Sequence, residues 1–218
     1  MKKNIILPQI KLKYFKSVFQ FKIILDNTKP PIWRRIQVPD TYTFWDFHVA
    51  IQDAMGWYDC HLHNFEIGKA RTPDEKHFGI PDQDGEDFEE VLPGWKFFIR
   101  DYFALDGNRP TKYWYDFGDN WTHTVKLEKV LPAVSDISYP RCIDGKRACP
   151  PEDCSGVWGY YDILNILKNP KYKSDRDMSR EDVIEWLGGE YDPKNFNPNE
   201  IKFDNPANRL KKLLKQQS

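Results

Sequence analysis

Two segments near the start of the chain alternate apolar and polar residues, which is the period of a strand with one buried face. The first covers residues 18–25 and the second residues 32–38. Between them, Pro30 and Pro31 interrupt regular structure. The pattern predicts a β-hairpin, and its second strand is unusual because Arg34 stands on the apolar face.

The spacing of the apolar residues then changes to three and four, which predicts an amphipathic helix. Thr43 opens the segment and Asp46 follows three residues later, a capping box with Asp in the usual place of Glu. Gly56 is expected to end the helix. The apolar stripe consists of Phe44, Phe47, Ile51 and Met55.

The middle of the chain continues the sheet that the hairpin begins. Strands are predicted over residues 61–68, 112–116 and 121–130, with a short one over residues 95–99. Residues 69–93 are polar and acidic and predict a long loop.

The last third changes character. Residues 140–155 predict a loop rich in Cys and Pro, and helices are predicted over residues 157–168, after Ser179 and from Pro206. This order predicts an α+β fold, with a β-grasp-like mixed sheet made of a hairpin, a crossing helix and further strands. We expect the helical C-terminal third to pack on that sheet.

The same patterns suggest how the chain is divided. Residues 1–17 carry five lysines and no clear period, so we expect a flexible basic N-terminal arm. Residues 18–215 are expected to form one domain, with the sheet and helix in 18–131 and the Cys/Pro loop and helices in 132–215.

Composition and charge limit the class of protein. The 218 residues are 40% apolar, enough for a core, and their net charge of −1 lacks the basic excess typical of proteins that bind duplex DNA. No apolar run approaches the roughly 18 residues of a membrane span, and no long apolar segment follows the N-terminal lysines. We therefore expect a cytoplasmic protein with no membrane segment, and nucleic acid is not the favoured partner.

Three of the four cysteines, Cys142, Cys149 and Cys154, lie within thirteen residues. A structural zinc ion needs four such ligands in a tetrahedron. The alternative is that the thiols are small core groups in a loop shaped by prolines, and the unusual spacing favours it. Candidates for the fourth zinc ligand are His123, Cys60 and His61.

Imidazole and carboxylate groups flank the middle strands. His61 and His63 stand two apart, so on one strand they face the same side and can bind a transition metal or only form hydrogen bonds. Asp116, Asp119 and His123 flank one hairpin turn, where they are candidates for acid–base chemistry or metal binding. The alternative is that Asp119 is an ordinary turn residue and His123 a core histidine.

Candidate binding residues are fewer. Trp33, Arg34 and Arg35 offer a ring and guanidinium donors suited to phosphate or carboxylate, and Trp121 is a further candidate. Because the alternation turns Arg34 inward, we favour a buried ion pair with an acid of residues 82–90 over a contact to a ligand.

Several unusual motifs follow one another along residues 18–215. They include KPPIWRRI at 29–36, YDFGDNWTH at 115–123, YPRC at 139–142 and RACPPEDC at 147–154. Together they resemble the plasmid pRiA4b Orf-3-like family, some members of which are labelled insertion-element passenger proteins by analogy with resolvases. The resemblance implies no established catalytic residues. The label implies DNA recombination, but the sequence shows no paired helices with a basic recognition helix.

Three hypotheses of function remain. The first is a non-enzymatic cytoplasmic module that binds a protein or peptide partner, for example by strand addition to an open sheet edge. The second is a metal-dependent, hydrolase-like enzyme that uses His, Asp and Cys near the 115–123 hairpin; it requires three ligands that converge in space and leave a coordination position open. The third is nucleic-acid binding linked to a mobile element, through the basic arm and the last helix.

Overall fold

Eight strands form one mixed sheet in a computed structural model of the chain, in which the described residues are 14–69, 71–81, 90–104, 111–169 and 171–216. The strands are β1 (Ser17–Leu25), β2 (Ile32–Pro39), β3 (His63–Ile67), β4 (Lys76–Gly79), β5 (Val91–Pro93), β6 (Thr111–Tyr115), β7 (Trp121–Pro132) and β8 (Arg141–Lys146). Their order across the sheet is β5-β4-β3-β6-β7-β1-β2-β8. All neighbours are antiparallel except β4 and β5.

Four α-helices accompany the sheet within the described ranges. They are α1 (Phe44–Met55), α2 (Gly156–Lys168), α3 (Arg180–Trp186) and α4 (Pro206–Gln216). The α+β class is confirmed, and a hairpin, a crossing helix and further strands follow one another in the predicted order.

One face of the sheet carries the core. Phe21 of β1 lies opposite Ile36 of β2 and Leu127 of β7. These side chains share one buried cluster with Phe47 of α1 and Ile163 of α2. The alternation of the strands therefore buries an apolar face under the helices, as expected for a sheet covered on one side.

The first helix forms where its capping residues predict. The Thr43 side chain accepts a hydrogen bond from the Asp46 amide at 3.2 Å, and the Asp46 carboxylate accepts one from the Thr43 amide at 2.9 Å. Gly56 follows the last turn with φ of 99°, a left-handed conformation that favours glycine. Both ends of α1 are thus determined by local chemistry.

The predicted loop over residues 140–155 is wrong in its first half, because β8 forms there. Gln37 of β2 lies opposite Arg141, and Trp33 lies opposite Lys146, with a shift of register between them. The segment has no clean alternation, so long-range pairing with β2 rather than local pattern makes it a strand. The sheet consequently extends beyond the 18–131 boundary predicted for it.

Two further expectations for the middle segment are also wrong. Residues 69–93 contain β4 and β5, and residues 95–99 contain parts of two 3-10 helices rather than a strand. The backbone of residues 97–99 instead forms hydrogen bonds with the residues around the start of α1. The Phe44 amide donates to the Phe97 carbonyl at 3.0 Å, and the Ile99 amide donates to the Tyr42 carbonyl at 2.9 Å.

The predictions of a flexible N-terminal arm and of no membrane segment are tested only within the described residues. Residues 1–13 of the predicted arm lie outside the described residues. In the part of the chain that the structure describes, no helix has the length and apolar character needed to cross a membrane.

Candidate metal centre

Three connecting segments meet at one end of the sheet. They are residues 57–62 after α1, the turn of residues 116–120 between β6 and β7, and residues 150–156 before α2. The Asp116 amide donates to the Leu62 carbonyl at 2.9 Å, which ties the first segment to the second. The turn therefore lies directly against the segment that follows α1.

The third segment is tied to the first by two hydrogen bonds. The Trp57 indole donates to the Pro150 carbonyl at 3.0 Å. The Tyr58 amide donates to a Glu152 carboxylate oxygen at 2.8 Å. Because these bonds use the backbone or a buried ring, they fix the relative positions of the side chains that the segments carry.

His61, Asp116 and Asp153 converge where the segments meet. The His61 Nε2 atom lies 3.0 Å from Asp153 Oδ1 and 3.6 Å from Asp116 Oδ2. Despite this proximity, Nε2 has no partner in hydrogen-bond geometry. The other Asp116 oxygen accepts the Gly118 and Asp119 amides at 2.9 and 3.3 Å, which leaves Oδ2 directed at the imidazole.

A second group shares the same imidazole. Cys60, His61 and Glu152 each place one ligand atom within 4.8 Å of the others. Cys60 Sγ lies 3.7 Å from Glu152 Oε1, which also accepts a short hydrogen bond from the Tyr115 hydroxyl. Burial and the nearby Glu152 carboxylate raise the pKa of the Cys60 thiol, so it is protonated at neutral pH when no metal is bound.

The loop of residues 57–62 also forms one wall of an open cleft of about 720 Å³. Arg209 of α4 stands across the cleft and pairs with Asp53, Asp59 and Asp204. The cleft lining therefore carries both signs of charge, with Asp59 and Asp204 beside Arg209 and Lys212. The cleft gives small molecules access to the loop that carries Cys60 and His61.

Behind this wall runs a buried hydrogen-bonded chain. Asp59 Oδ1 lies 2.7 Å from Nε2 of His48, and Nδ1 of His48 lies 2.8 Å from the Tyr113 hydroxyl. His63 stacks on His48 with ring centroids 3.4 Å apart, and burial holds the pKa of His63 well below its usual value. Although burial of Asp59 acts in the opposite direction, His48 and Arg209 lower the pKa of its carboxyl. This row of hydrogen bonds, from Tyr113 through His48, orients Asp59 from inside the protein.

A mixed set of one imidazole and two carboxylates suits a divalent transition metal such as Mn²⁺, Fe²⁺ or Zn²⁺. The Asp153 side chain is 68% exposed, so an ion can approach from that side, whereas the His61 Nε2 atom itself is buried. Three protein ligands leave coordination positions open for water and substrate. The arrangement is therefore capable of metal-assisted chemistry.

Comparison with known proteins gives the chain its relatives. A model of the plasmid pRiA4b ORF-3-like protein family matches residues 17–200. The chain belongs to this family. It is 32% identical over 177 residues to the uncharacterized protein y4hQ of Sinorhizobium fredii (strain NBRC 101917 / NGR234), a match that covers 81% of this chain and 84% of the relative.

The crystal structure of MM3350, a protein of unknown function from Methanosarcina mazei Go1, has the same fold. It matches with a TM-score of 0.76 at 42% identity and covers 87% of this chain and 100% of that one. Neither relative's name states a reaction or a ligand. The chemistry of this pRiA4b ORF-3-like protein must therefore be argued from its own side chains.

In this family member, the three clustered cysteines do not join either group of converging ligands within the described residues. Cys142 donates to the Asp144 carbonyl at 3.4 Å, and Cys154 lies 3.7 Å from the Gly156 carbonyl. Burial raises the pKa of Cys149 far above its usual value and that of Cys154 to about 12. Their surroundings fit core thiols, whereas Cys60 is the exposed cysteine.

The predicted pairing of His61 with His63 on one strand face is wrong. The strand begins only at His63, because residues 57–62 form a loop held by hydrogen bonds to neighbouring segments. His63 points into the core and His61 faces the converging carboxylates.

Of the three candidates around the hairpin turn, one lies at the cluster and two do not. Asp116 joins His61, but Asp119 and His123 belong to neither group of converging ligands in the described ranges. His123 is fully buried, and its Nδ1 lies 3.3 Å from the Tyr113 carbonyl.

The four candidate binding residues do not converge, because they occupy opposite faces of the sheet. Arg34 and Trp121 are buried in the core, whereas Trp33 and Arg35 lie on the other face, where the Arg35 guanidinium stacks on the Trp33 ring at 5.1 Å. Arg35 pairs with Glu128 at 2.6 Å.

The described partners of Arg34 are backbone carbonyls, and its pairing with an acid of residues 82–90 stays a prediction. Its guanidinium binds three backbone carbonyls rather than a carboxylate of the described residues. Residues 82–89, which contain most of the acids expected to pair with it, lie outside the described ranges.

Sequence reasoning missed Glu152 and Asp153. Both stand inside the motif of residues 147–154, whose most prominent chemical feature is the spacing of its cysteines. The available signal was the pair of adjacent acids between the last two cysteines, but nothing local showed that this pair lies against His61.

Proposed function

We propose that this protein is a metal-dependent enzyme with hydrolase-like chemistry, and that His61, Asp116 and Asp153 hold its divalent ion. The supporting observation is the convergence of the three ligand atoms around an imidazole nitrogen that has no hydrogen-bond partner. An imidazole left in this way beside two carboxylate oxygens is matched better by a cation than by another protein group.

When bound at such a site, a divalent ion polarises a carbonyl or phosphoryl oxygen and makes coordinated water more acidic. The protein's own part is to position the ligands. The Gly118 and Asp119 amides hold one Asp116 oxygen, so the other stays directed at His61, where it would serve as a ligand. Asp153 is the most exposed ligand, and substrate is expected to enter on its side.

The other hypotheses keep the status of predictions. The sequence alone favours the non-enzymatic recognition module, because it shows no coherent catalytic set, whereas the His61 cluster supports the enzyme. Nucleic-acid binding linked to a mobile element has less support, given the net charge of −1. All four cysteines are free thiols, which suits a cytoplasmic location, and that location is part of this proposal.

The decisive experiment combines metal binding with single substitutions. Calorimetric titration with Mn²⁺ and Zn²⁺ should give one site per chain, and Asp116→Asn and Asp153→Asn should each weaken Mn²⁺ binding at least about tenfold. Asp136→Asn, which changes an exposed acid elsewhere, is the matched control. The loaded protein should hydrolyse members of a panel of chromogenic carboxyl and phosphate esters, and the same two variants should lose that activity.

Two results would reject the proposal. One is that neither ion binds to the folded wild-type protein. The other is that Asp116→Asn and Asp153→Asn bind Mn²⁺ as tightly as Asp136→Asn does. Circular dichroism of each variant separates a lost ligand from a lost fold.

A further inference from the structure

We propose that Cys60 and Glu152 give the same imidazole a second set of ligands, which is selective for thiophilic ions such as Zn²⁺ and Cd²⁺. This inference rests on the proposed function, because both sets include His61. It adds a regulatory property, namely that a thiophilic ion recruits Cys60 and thereby inhibits the enzyme loaded with a harder ion.

The geometry supports two overlapping sets. Cys60, His61 and Glu152 place their ligand atoms within 4.8 Å of one another, and His61, Asp116 and Asp153 do the same. The first set offers sulfur, nitrogen and oxygen, whereas the second offers nitrogen and two oxygens. An ion that prefers sulfur therefore has a different best position from one that prefers oxygen.

Cys60 is also accessible and well placed. It is exposed, whereas Cys142 and Cys149 are partly buried and Cys154 is buried. Its amide donates to the Tyr115 hydroxyl at 3.1 Å, and that hydroxyl donates to Glu152. The hydrogen bonds around Tyr115 hold the thiol and the carboxylate together before any ion arrives.

The binding step exchanges a proton for a metal ion. In the metal-free protein the Cys60 thiol lies 3.7 Å from Glu152 Oε1, in position to donate its proton. On binding, the S–H bond breaks, a bond from sulfur to the metal forms, and one proton passes to solvent. No electron is transferred, so no oxidant or reductant is needed. Hard ions such as Mn²⁺ gain little from sulfur and should leave the thiol protonated.

Competition follows from the shared imidazole. An ion bound to the Cys60 set uses the His61 imidazole, and its charge lies close to the Asp116 and Asp153 carboxylates, where it repels Mn²⁺. Mn²⁺ affinity should therefore fall when Zn²⁺ or Cd²⁺ is present. Because the Cys60 sulfur is the ligand that Zn²⁺ uses and Mn²⁺ does not, removing the thiol should reduce the ratio of Zn²⁺ affinity to Mn²⁺ affinity by about tenfold or more.

The test titrates Cd²⁺ into the full-length, reduced protein and follows thiolate-to-metal charge-transfer absorption in the ultraviolet. We expect the absorption in the wild type and in Cys142→Ser, and its loss in Cys60→Ser. Mn²⁺ affinity of Cys60→Ser should stay within about twofold of the wild type. Calorimetry of Zn²⁺ binding in buffers of different ionisation enthalpy should show about one proton fewer released by Cys60→Ser.

The outcomes separate this inference from the proposed function. Charge-transfer absorption that persists in Cys60→Ser overturns the inference. So does a wild-type protein that binds Mn²⁺ normally but gives no thiolate absorption with Cd²⁺, although the proposed function then survives. A wild-type protein that binds none of the three ions overturns both.

Discussion

A buried arginine links the end of α1 to the sheet. Arg34 donates from Nε to the Ala54 carbonyl at 2.7 Å, in the last turn of that helix. Its Nη1 donates to the Trp33 and Lys146 carbonyls at 3.0 and 3.2 Å, and the guanidinium lies 3.9 Å from the centre of the Phe196 ring. A cation at this point also suits the negative end of the helix dipole.

This role predicts a large difference between two adjacent arginines. Arg34→Met should lower the free energy of unfolding by about 3 kcal/mol, because it leaves buried carbonyls without donors. Arg35→Met is the matched control: Arg35 pairs with Glu128 and Asp144 on the other face of the sheet, so the loss should stay below about 1 kcal/mol. Urea unfolding of both variants measures the difference, and equal losses would contradict the assigned role.

At the scale of elements, the ion pairs of Arg209 and a small apolar cluster together hold α4 at the cleft. Arg209 pairs with Asp59 at 3.2 Å and with Asp53 and Asp204, while the Trp45 indole donates to the Pro206 carbonyl at 2.9 Å. Trp45 also belongs to the small apolar cluster that receives the buried residues of the helix, Leu210 and Leu214. Because this apolar cluster is small, the ion pairs are expected to contribute substantially to docking.

Arg209→Met should therefore loosen α4 without unfolding the sheet. Amide hydrogen exchange should become faster across residues 206–216, by about tenfold, and remain unchanged in α2. Lys211→Met, an exposed change on the same helix, serves as the control. If both variants exchange alike, docking rests on the apolar contacts alone.

The elements that the sequence predicts best are those with local signals. α1 and α3 begin where Thr43 and Ser179 form complete capping boxes, and β1 and β2 alternate over part of their length, with Arg34 as the exception on the apolar face. β8 has no such local signal. It becomes a strand through pairing with β2, which lies about a hundred residues earlier in the chain. β4 escapes prediction for a different reason: its partner β3 lies nearby in the chain, but β4 stands in a segment that is polar by composition.

At the scale of the whole molecule, the candidate site combines local and distant information. His61 and Asp116 attract attention because imidazole and carboxylate groups are uncommon beside apolar strands. Asp153 reaches them only because the chain returns past β7 and β8 before α2 begins. The proximity of Asp153 to His61 therefore depends on the topology of the fold, which the periodicity and spacing of the sequence do not reveal.

Buried histidines make the stability of the whole fold depend on pH. Burial lowers the pKa of His123 to about 4, from an ordinary value of 6.5, and lowers that of His63 as well. Both rings are therefore neutral in the folded protein near neutral pH. Below about pH 6.5 the unfolded chain takes up protons that the folded protein excludes, so the free energy of unfolding must fall as pH decreases.

His123→Leu should flatten this dependence. The wild type should lose about 3 kcal/mol through His123 alone between pH 6.5 and pH 4, since each unit of pKa difference corresponds to about 1.4 kcal/mol. The variant should keep only the smaller slope due to other groups. Val125→Ala, on the same buried face of β7, is the control: it should lower stability by a similar amount at every pH and leave the slope intact. Urea unfolding at several pH values compares the three proteins, and a wild-type slope in His123→Leu would show that His123 is not excluded from protonation by its burial.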